Sequence, residues 1–515
     1  MRIRLTILLA TLLSFFACTE PEPDLPLIET DENGLAENMF TEWPAYDPVI
    51  SYKFSDDYPD YEMPTRNLPY TGRNLDWTMH DGWWSFFAGT NANPLVTEEA
   101  VQPMLERLNT DFAYIRDVMG WPPDMAVQNG YRSAVFLYGS GLSTDDASNT
   151  ETGGWQSWVS INNTDWPVIL ISYYPIYCFD PDCNYQDIEF QTDAVVHEGI
   201  HTMFSSMPGR NNKAWFHEGS NCWLQATMEL DRSGLTDYSG LKFGWLAAGS
   251  IIAPFIPIEC YGGWLADGSF GGPNYEGLND NTRRILGGVQ YSEVFPTFLA
   301  EYLGYYSIPW IWQNCRGMVL SGMGTVMGEE QMRRLIQEYR ARLCLADLGR
   351  YEAAVMRMYN DNMGVRIYSE FSTAPAEDWT ATPYAATIRD DDGWLIPEER
   401  TLPGWTGANI VPLKVEGESV TVTFDAMNNN MSLQLCYRTA DGKAVYCDPV
   451  TGGDCTIVTR ELRPANDVVF AVITNLDYTY SVINQRSLHY SYRLKPGNGV
   501  KATADIHTDW FDWTR

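Results

Sequence analysis

Two histidines four residues apart, with a glutamate after the first, define the chemistry open to this chain. His197-Glu198-Gly199-Ile200-His201 spells H-E-x-x-H. On a helix, residues four apart share a face, so His197 and His201 can offer two imidazole nitrogens to one Zn²⁺. Glu198 stands beside them, within reach of a water on the metal, where a carboxylate serves as general base. A closed structural zinc site needs two more Cys or His ligands at tight spacing, and no such cluster lies nearby. The longer motif with a third histidine is also missing, because Phe204 and Met207 stand at its Gly and His positions. The remaining ligand then has to come from a following element. Trp215-Phe216-His217-Glu218-Gly219 offers two candidates, His217 and Glu218.

These groups need rigid elements around them. Phe190, Ala194, Val195, Ile200, Met203 and Phe204 give the motif an apolar helical side, which Pro208-Gly209 ends. The stretch after Glu218 continues helically through Asn221, Trp223, Leu224 and Met228. Upstream, residues 83–89 predict a strand. Val101, Met104, Leu108, Phe112 and Ile115 predict a helix over 97–119, stopped by Gly120. Residues 132–138 and 168–174 are β-rich runs, the second feeding the loop before the motif. In that loop Asp180, Asp182, Asn184 and Asp187 gather oxygens, but they lack the spacing of a calcium loop and read as a solvated acidic turn. Downstream come a Gly/Pro-rich loop over 254–273 and helices predicted over 282–303 and 329–360. Hydrolysis through a tetrahedral intermediate also needs an oxyanion donor; Tyr291 and Tyr261 are nominated, with His217 a further candidate. Asp193, one turn before His197, is within range to orient that imidazole, although a surface acid is the plainer reading.

Two His from one helix and a Glu from the next resemble the gluzincin class of zinc metallopeptidases. That resemblance implies His197, His201 and Glu218 as zinc ligands and Glu198 as the catalytic carboxylate. Further stretches carry a narrower likeness: Trp83-Trp84-Ser85-Phe86-Phe87-Ala88-Gly89, Val118-Met119-Gly120-Trp121-Pro122-Pro123 and Val135-Phe136-Leu137-Tyr138-Gly139. Pro257-Ile258-Glu259-Cys260-Tyr261-Gly262-Gly263-Trp264 and Leu402-Pro403-Gly404-Trp405-Thr406-Gly407-Ala408-Asn409 extend it. With these the chain is similar to a family of secreted bacterial and fungal proteins built on a domain of unknown function. The expected fold class is α+β: the resemblance implies a zincin-like catalytic domain. After it, the β-rich, partly alternating runs 420–424, 432–436, 468–473 and 490–493, separated by Gly, Asn, Asp and Pro turns, predict a C-terminal antiparallel β-sandwich. The implied substrate is a peptide, paired to one strand edge of the catalytic sheet. Glu218-Gly219-Ser220-Asn221 also fits the E-x-x-N of enhancin-like metallopeptidases, which implies a mucin or glycoprotein substrate. A rival of another class is a non-catalytic lipoprotein that captures glycan or protein on a peptidase scaffold.

The ends and the composition bound the setting. Residues 1–17 place Arg2 and Arg4 before an apolar run from Leu5 to Ala17, the pattern of a secretory signal too short to span a bilayer. Ala17-Cys18 resembles a bacterial lipobox, so Cys18 is the expected lipidated N-terminus. The acidic, Pro-rich segment after it resembles the surface-export signal of Bacteroidetes lipoproteins. Residues 18–70 read as linker and extension, 71–375 as the catalytic domain, 376–497 as the sandwich and 498–515 as a tail. Losing residues 1–17 removes two cations and no acid, taking the formal charge from −33 to −35. Such a chain repels nucleic acid and anionic membrane, leaving the lipid anchor as its expected membrane contact. Of ten cysteines, Cys178 with Cys183, and Cys436, Cys447 and Cys455, are candidate bridges in an oxidising compartment.

Overall fold

The computed structural model describes residues 60–142, 152–210, 214–234, 254–255, 257–259, 293–315, 317–352, 387–389, 392–397, 402–428, 430–479 and 490–503. The signal, Cys18 and most of the predicted linker therefore lie outside the described residues.

The first layer is a five-stranded mixed sheet. Its strands are β1 (Leu75–Asp81), β2 (Trp84–Gly89), β3 (Ser133–Leu137), β4 (Gly154–Ile161) and β5 (Thr164–Ile171), in spatial order β1-β2-β3-β5-β4. The central strands β2, β3 and β5 run parallel, while β1 and β4 flank them antiparallel at the two edges. Strands covered on both faces lose polar alternation, and every residue of β2 and β3 is buried. One face packs on α1 (Glu98–Asp117) and α4 (Ile188–Ser205), through Phe86, Val135 and Ile169 against Leu105, Leu108 and Val195. The other face is closed by Leu68 and Tyr70 of the N-terminal segment, with Ala126 of the short α2 (Met125–Gln128). Thr97 caps α1, its hydroxyl accepting from Ala100 N at 3.3 Å.

The sequence predicts a β run only from 168, whereas the structure forms a full hairpin, β4–β5, from Gly154 to Ile171. Its turn is Asn162-Asn163, both at positive φ (53° and 62°), which asparagine tolerates and tight hairpins require.

After α3 (Tyr173–Tyr177) and α4, the chain turns into α5 (Ala214–Ser233) and then a helical layer: α6 (Val294–Leu303), α7 (Ser307–Asn314), α8 (Val319–Met327) and α9 (Glu329–Cys344). Their apolar sides share one core with Ile200, Phe204, Trp223 and Leu224. The predicted helix over 329–360 stops early: α9 ends at Cys344, and Ala346 takes φ 54°, which no α-helix continues through. Of the helix predicted over 282–303, residues 282–292 lie outside the described residues.

The C-terminal region is two five-stranded antiparallel sheets. Its strands are β6 (Thr387–Arg389), β7 (Leu395–Pro397), β8 (Ala408–Val415), β9 (Ser419–Ala426), β10 (Met431–Arg438), β11 (Ala444–Tyr446), β12 (Gly453–Val458), β13 (Val468–Asn475), β14 (Tyr492–Pro496) and β15 (Val500–Thr503). The orders are β11-β10-β13-β8-β15 and β12-β9-β14-β7-β6, with Leu413, Val422, Phe424, Leu433 and Ile473 in one core. β15 pairs with β8, so residues 500–503, expected in the tail, belong to the sheet. Cys178 and Cys183 bring their Sγ atoms to 3.3 Å, and Cys447 and Cys455 to 3.4 Å. Cys436, expected in the second group, lies instead against Cys344 of α9. No described helix is long and apolar enough to cross a membrane.

Candidate metal centre

Helix α4 lies across the β5 and β4 side of the sheet, and Gly199 sets how closely it approaches α1. A Cβ there would fall 2.6 Å from Phe112 Cζ, so the middle residue of the motif is small because α1 is near. The 3.6-residue period then turns His197 and His201 towards α5. That helix is tied to α4 by Asn221, whose Nδ2 donates to the His197 carbonyl oxygen at 2.8 Å.

The result is a convergence of three donors. Glu218 Oε2 lies 3.3 Å from His197 Nε2 and 3.2 Å from His201 Nε2. Four ligands at the usual zinc distances on a tetrahedron stand about 3.3 Å apart, so these spacings fit two edges of such a site. Among the described residues, His197, His201 and Glu218 are the group of three or more His, Cys, Asp or Glu that could hold a metal ion. Desolvation by burial works to raise the Glu218 carboxyl, but the facing imidazoles outweigh it and hold it well below the usual range. Burial acts to lower His201, and the Glu218 carboxylate overcomes this and raises it. Both shifts have one cause, the close approach of the Glu218 carboxylate to the two imidazoles.

His217 is not one of the three donors. Its Nδ1 sits 3.3 Å from His201 Nδ1, behind the ligand ring, and its own ring stands edge-on to Trp312 with centroids 4.7 Å apart. It therefore addresses the nitrogen of His201 that faces away from Glu218, a position that fixes tautomer and ring orientation.

Glu198 is half-buried beside the donors. Backbone N–H of Gln156, on edge strand β4, donates to Glu198 Oε2 at 2.6 Å. Burial raises the Glu198 carboxyl above its ordinary value, and Glu218 adds to the shift; His201, His197 and the Gln156 N–H pull against it. A carboxyl shifted up in this way is better matched to accepting a proton near neutral pH.

Asp193 does not orient His197. Its Oδ1 pairs with Arg107 Nη2 of α1 at 3.2 Å, in a cluster with Asp111 and Glu229, so it is a partly buried ion-pair member and neither the orienting carboxylate nor a plain surface acid. Asp180 accepts from Asp182 N at 2.8 Å, a turn closed on itself. Tyr291 and Tyr261 lie outside the described residues. Gln156, whose backbone N–H holds Glu198, carries no motif that marks it in the sequence. The Asn162-Asn163 turn is the one signal in the sequence that marks its strand, since Trp155-Gln156-Ser157-Trp158-Val159 does not alternate.

Comparison of the chain with protein-family models, with curated proteins and with solved structures returns no match.

Proposed function

We propose that this chain is a zinc-dependent hydrolase, most specifically a gluzincin-type metallopeptidase, secreted and held at the cell surface by a lipid on Cys18. The observation that carries the reading is the shared approach of Glu218 Oε2 to both imidazole Nε2 atoms, with Glu198 held alongside. Two histidines and one carboxylate form a ligand set of the catalytic kind, since structural zinc is closed by four ligands, usually rich in Cys. A Zn²⁺ held there would polarise a scissile carbonyl and make water acidic enough to lose a proton near neutral pH.

The chain's own residues supply the remainder. Glu198 takes the proton of the attacking water and delivers it to the leaving amine. The Gln156 N–H occupies Oε2, which fixes the carboxylate plane and leaves Oε1 for the proton. Among the described residues strand β4 ends its sheet on this side, so its outer backbone groups other than the Gln156 N–H, which Glu198 takes, are positioned to pair with an extended peptide. His217 holds the ring of His201 in place from behind.

Glu198→Gln tests the reading, because it keeps the shape and removes the base. Zinc content is expected to stay at the parent level while peptide hydrolysis falls at least about a hundredfold. Undiminished turnover in the variant would remove Glu198 from the reaction. A parent that binds glycoprotein but hydrolyses none would favour the capture reading.

A further inference from the structure

Arg210 follows the end of α4 and is exposed. In a chain with 67 acidic and 34 basic residues, it pairs with no carboxylate among the described residues. Its guanidinium lies over the Trp158 ring, with Cζ 5.3 Å from the centroid, and its Nη1 donates to the Ser205 carbonyl at 3.1 Å. Trp158 is itself 40 % exposed, an uncommon cost for a large aromatic residue on a sheet edge.

This pair is wired to the candidate site. Ser205 Oγ donates to Gln156 Oε1 at 3.2 Å, and Gln156 N donates to Glu198. Gly154 also faces this way, since a Cβ built there would lie 3.4 Å from Glu198 Cγ. Side chains alternate along a strand, so Gly154, Gln156 and Trp158 share the face towards α4. The backbone of the same residues looks outward. The Gln156 N–H is spent on Glu198, and Trp158 stands opposite Pro167, which has no N–H to pair with it.

A peptide lying antiparallel to β4 would therefore meet Trp158 about 7 Å along the strand from Glu198, on its own N-terminal side of the reacting bond. A residue directly opposite Trp158 points its side chain to the same face, where the guanidinium waits. Resting on the proposed hydrolase reading, we infer that Arg210, seated on Trp158, selects an acidic side chain about two residues N-terminal to the cleaved bond. The stack leaves Arg210 donors free for a carboxylate and holds the long side chain in place, which reduces the entropy lost on binding.

The test uses the full chain, its Arg210→Glu and Trp158→Ala variants, and a positional library of blocked decapeptides. The parent is expected to cleave peptides with Asp or Glu at that position about tenfold better than their Lys counterparts. Arg210→Glu should reverse the order, and Trp158→Ala should weaken it without reversing it. A flat profile in the parent, or an unchanged profile in Arg210→Glu, overturns the inference. Binding is read separately, by fluorescence anisotropy of labelled Asp, Ala and Lys decapeptides on Glu198→Gln chains with and without Arg210→Glu. An acidic preference in binding that Arg210→Glu abolishes supports the assignment even if the parent cleaves nothing, a result that would sink the hydrolase reading alone. Binding without that preference overturns the assignment whatever the turnover. So does tight binding of a glycosylated decapeptide that is lost only in Trp158→Ala, which would make the ring a sugar platform.

Discussion

The two halves of the molecule treat buried charge in opposite ways. Among the described residues, every carboxylate classed as buried lies before the sandwich, from Asp111 and Asp124 of the first layer to Glu338 and Asp347 near α9. Among its described residues the C-terminal region buries one charged side chain, Arg438, and its centre is filled largely with Val, Leu, Phe and Ile. Burying a carboxylate costs stability unless partners compensate. In the site-bearing half arginines supply that compensation, Arg107 and Arg232 for Asp111, Arg350 for Glu301 and Arg342 for Asp347, whereas the core of the C-terminal sheets has almost no buried charge to compensate. Helix α9 is the joint: Gln337 bonds Ser432, Arg340 Nε donates to the Thr406 carbonyl at 2.8 Å, and Arg438 Nε donates to the Leu345 carbonyl at 2.8 Å.

That contrast can be broken experimentally. Phe424→Ala removes a core ring between the two C-terminal sheets and is expected to cost about 3–5 kcal/mol in denaturant unfolding, with zinc affinity unchanged. A parallel fall in zinc affinity would show that the halves are not separable. In the site-bearing half the sign of the comparison reverses. His217→Ala should weaken zinc binding roughly 10- to 100-fold, with little change in overall stability, in a chelator competition. Equal affinity would reduce His217 to packing against Trp312.

The smallest effect is a pH dependence. Burial raises Asp193 to about 6, against Arg107, and burial with Asp193 raises Glu229 to about 7. Both folded values exceed the unfolded ones, so their contribution favours the fold below about pH 4 and is lost as pH rises through 6 and 7. The side chains are 30 % and 41 % exposed, so solvent screens much of the effect. The double variant Asp193→Asn, Glu229→Gln should flatten the melting temperature between pH 5 and 7.5 relative to the parent. An identical slope would place that dependence elsewhere.

How much of this was legible depends on how local the cause is. His197, Glu198 and His201 are set by helical period alone, whereas the residues after them left His217 and Glu218 both open. The resemblance alone favoured Glu218, and the packing of α5 on α4 turns Glu218 to the two imidazole Nε2 atoms and His217 to the far nitrogen of His201. The strands of the sandwich showed through their alternation and turns. The β4 edge did not, because Trp155-Gln156-Ser157-Trp158-Val159 breaks the polar alternation of a strand and leaves the Asn-Asn turn as its one signal. Asp193 was ambiguous for the same reason: whether it meets His197 or Arg107 is decided by how α1 packs on α4. The end of α9 was hidden because its apolar period continues past Ala346, where the backbone turns instead. Arg210 carries no motif. Its place beside Trp158 follows from a loop crossing to an edge strand some fifty residues earlier.

The most direct test of the metal centre is a zinc titration of the full chain against a chromophoric chelator, repeated on Glu218→Ala. One zinc per chain is expected for the parent, with an affinity loss in the variant beyond the hundredfold that a supporting residue commands. Zinc held equally well by Glu218→Ala, or not held by the parent, would contradict the three-donor site.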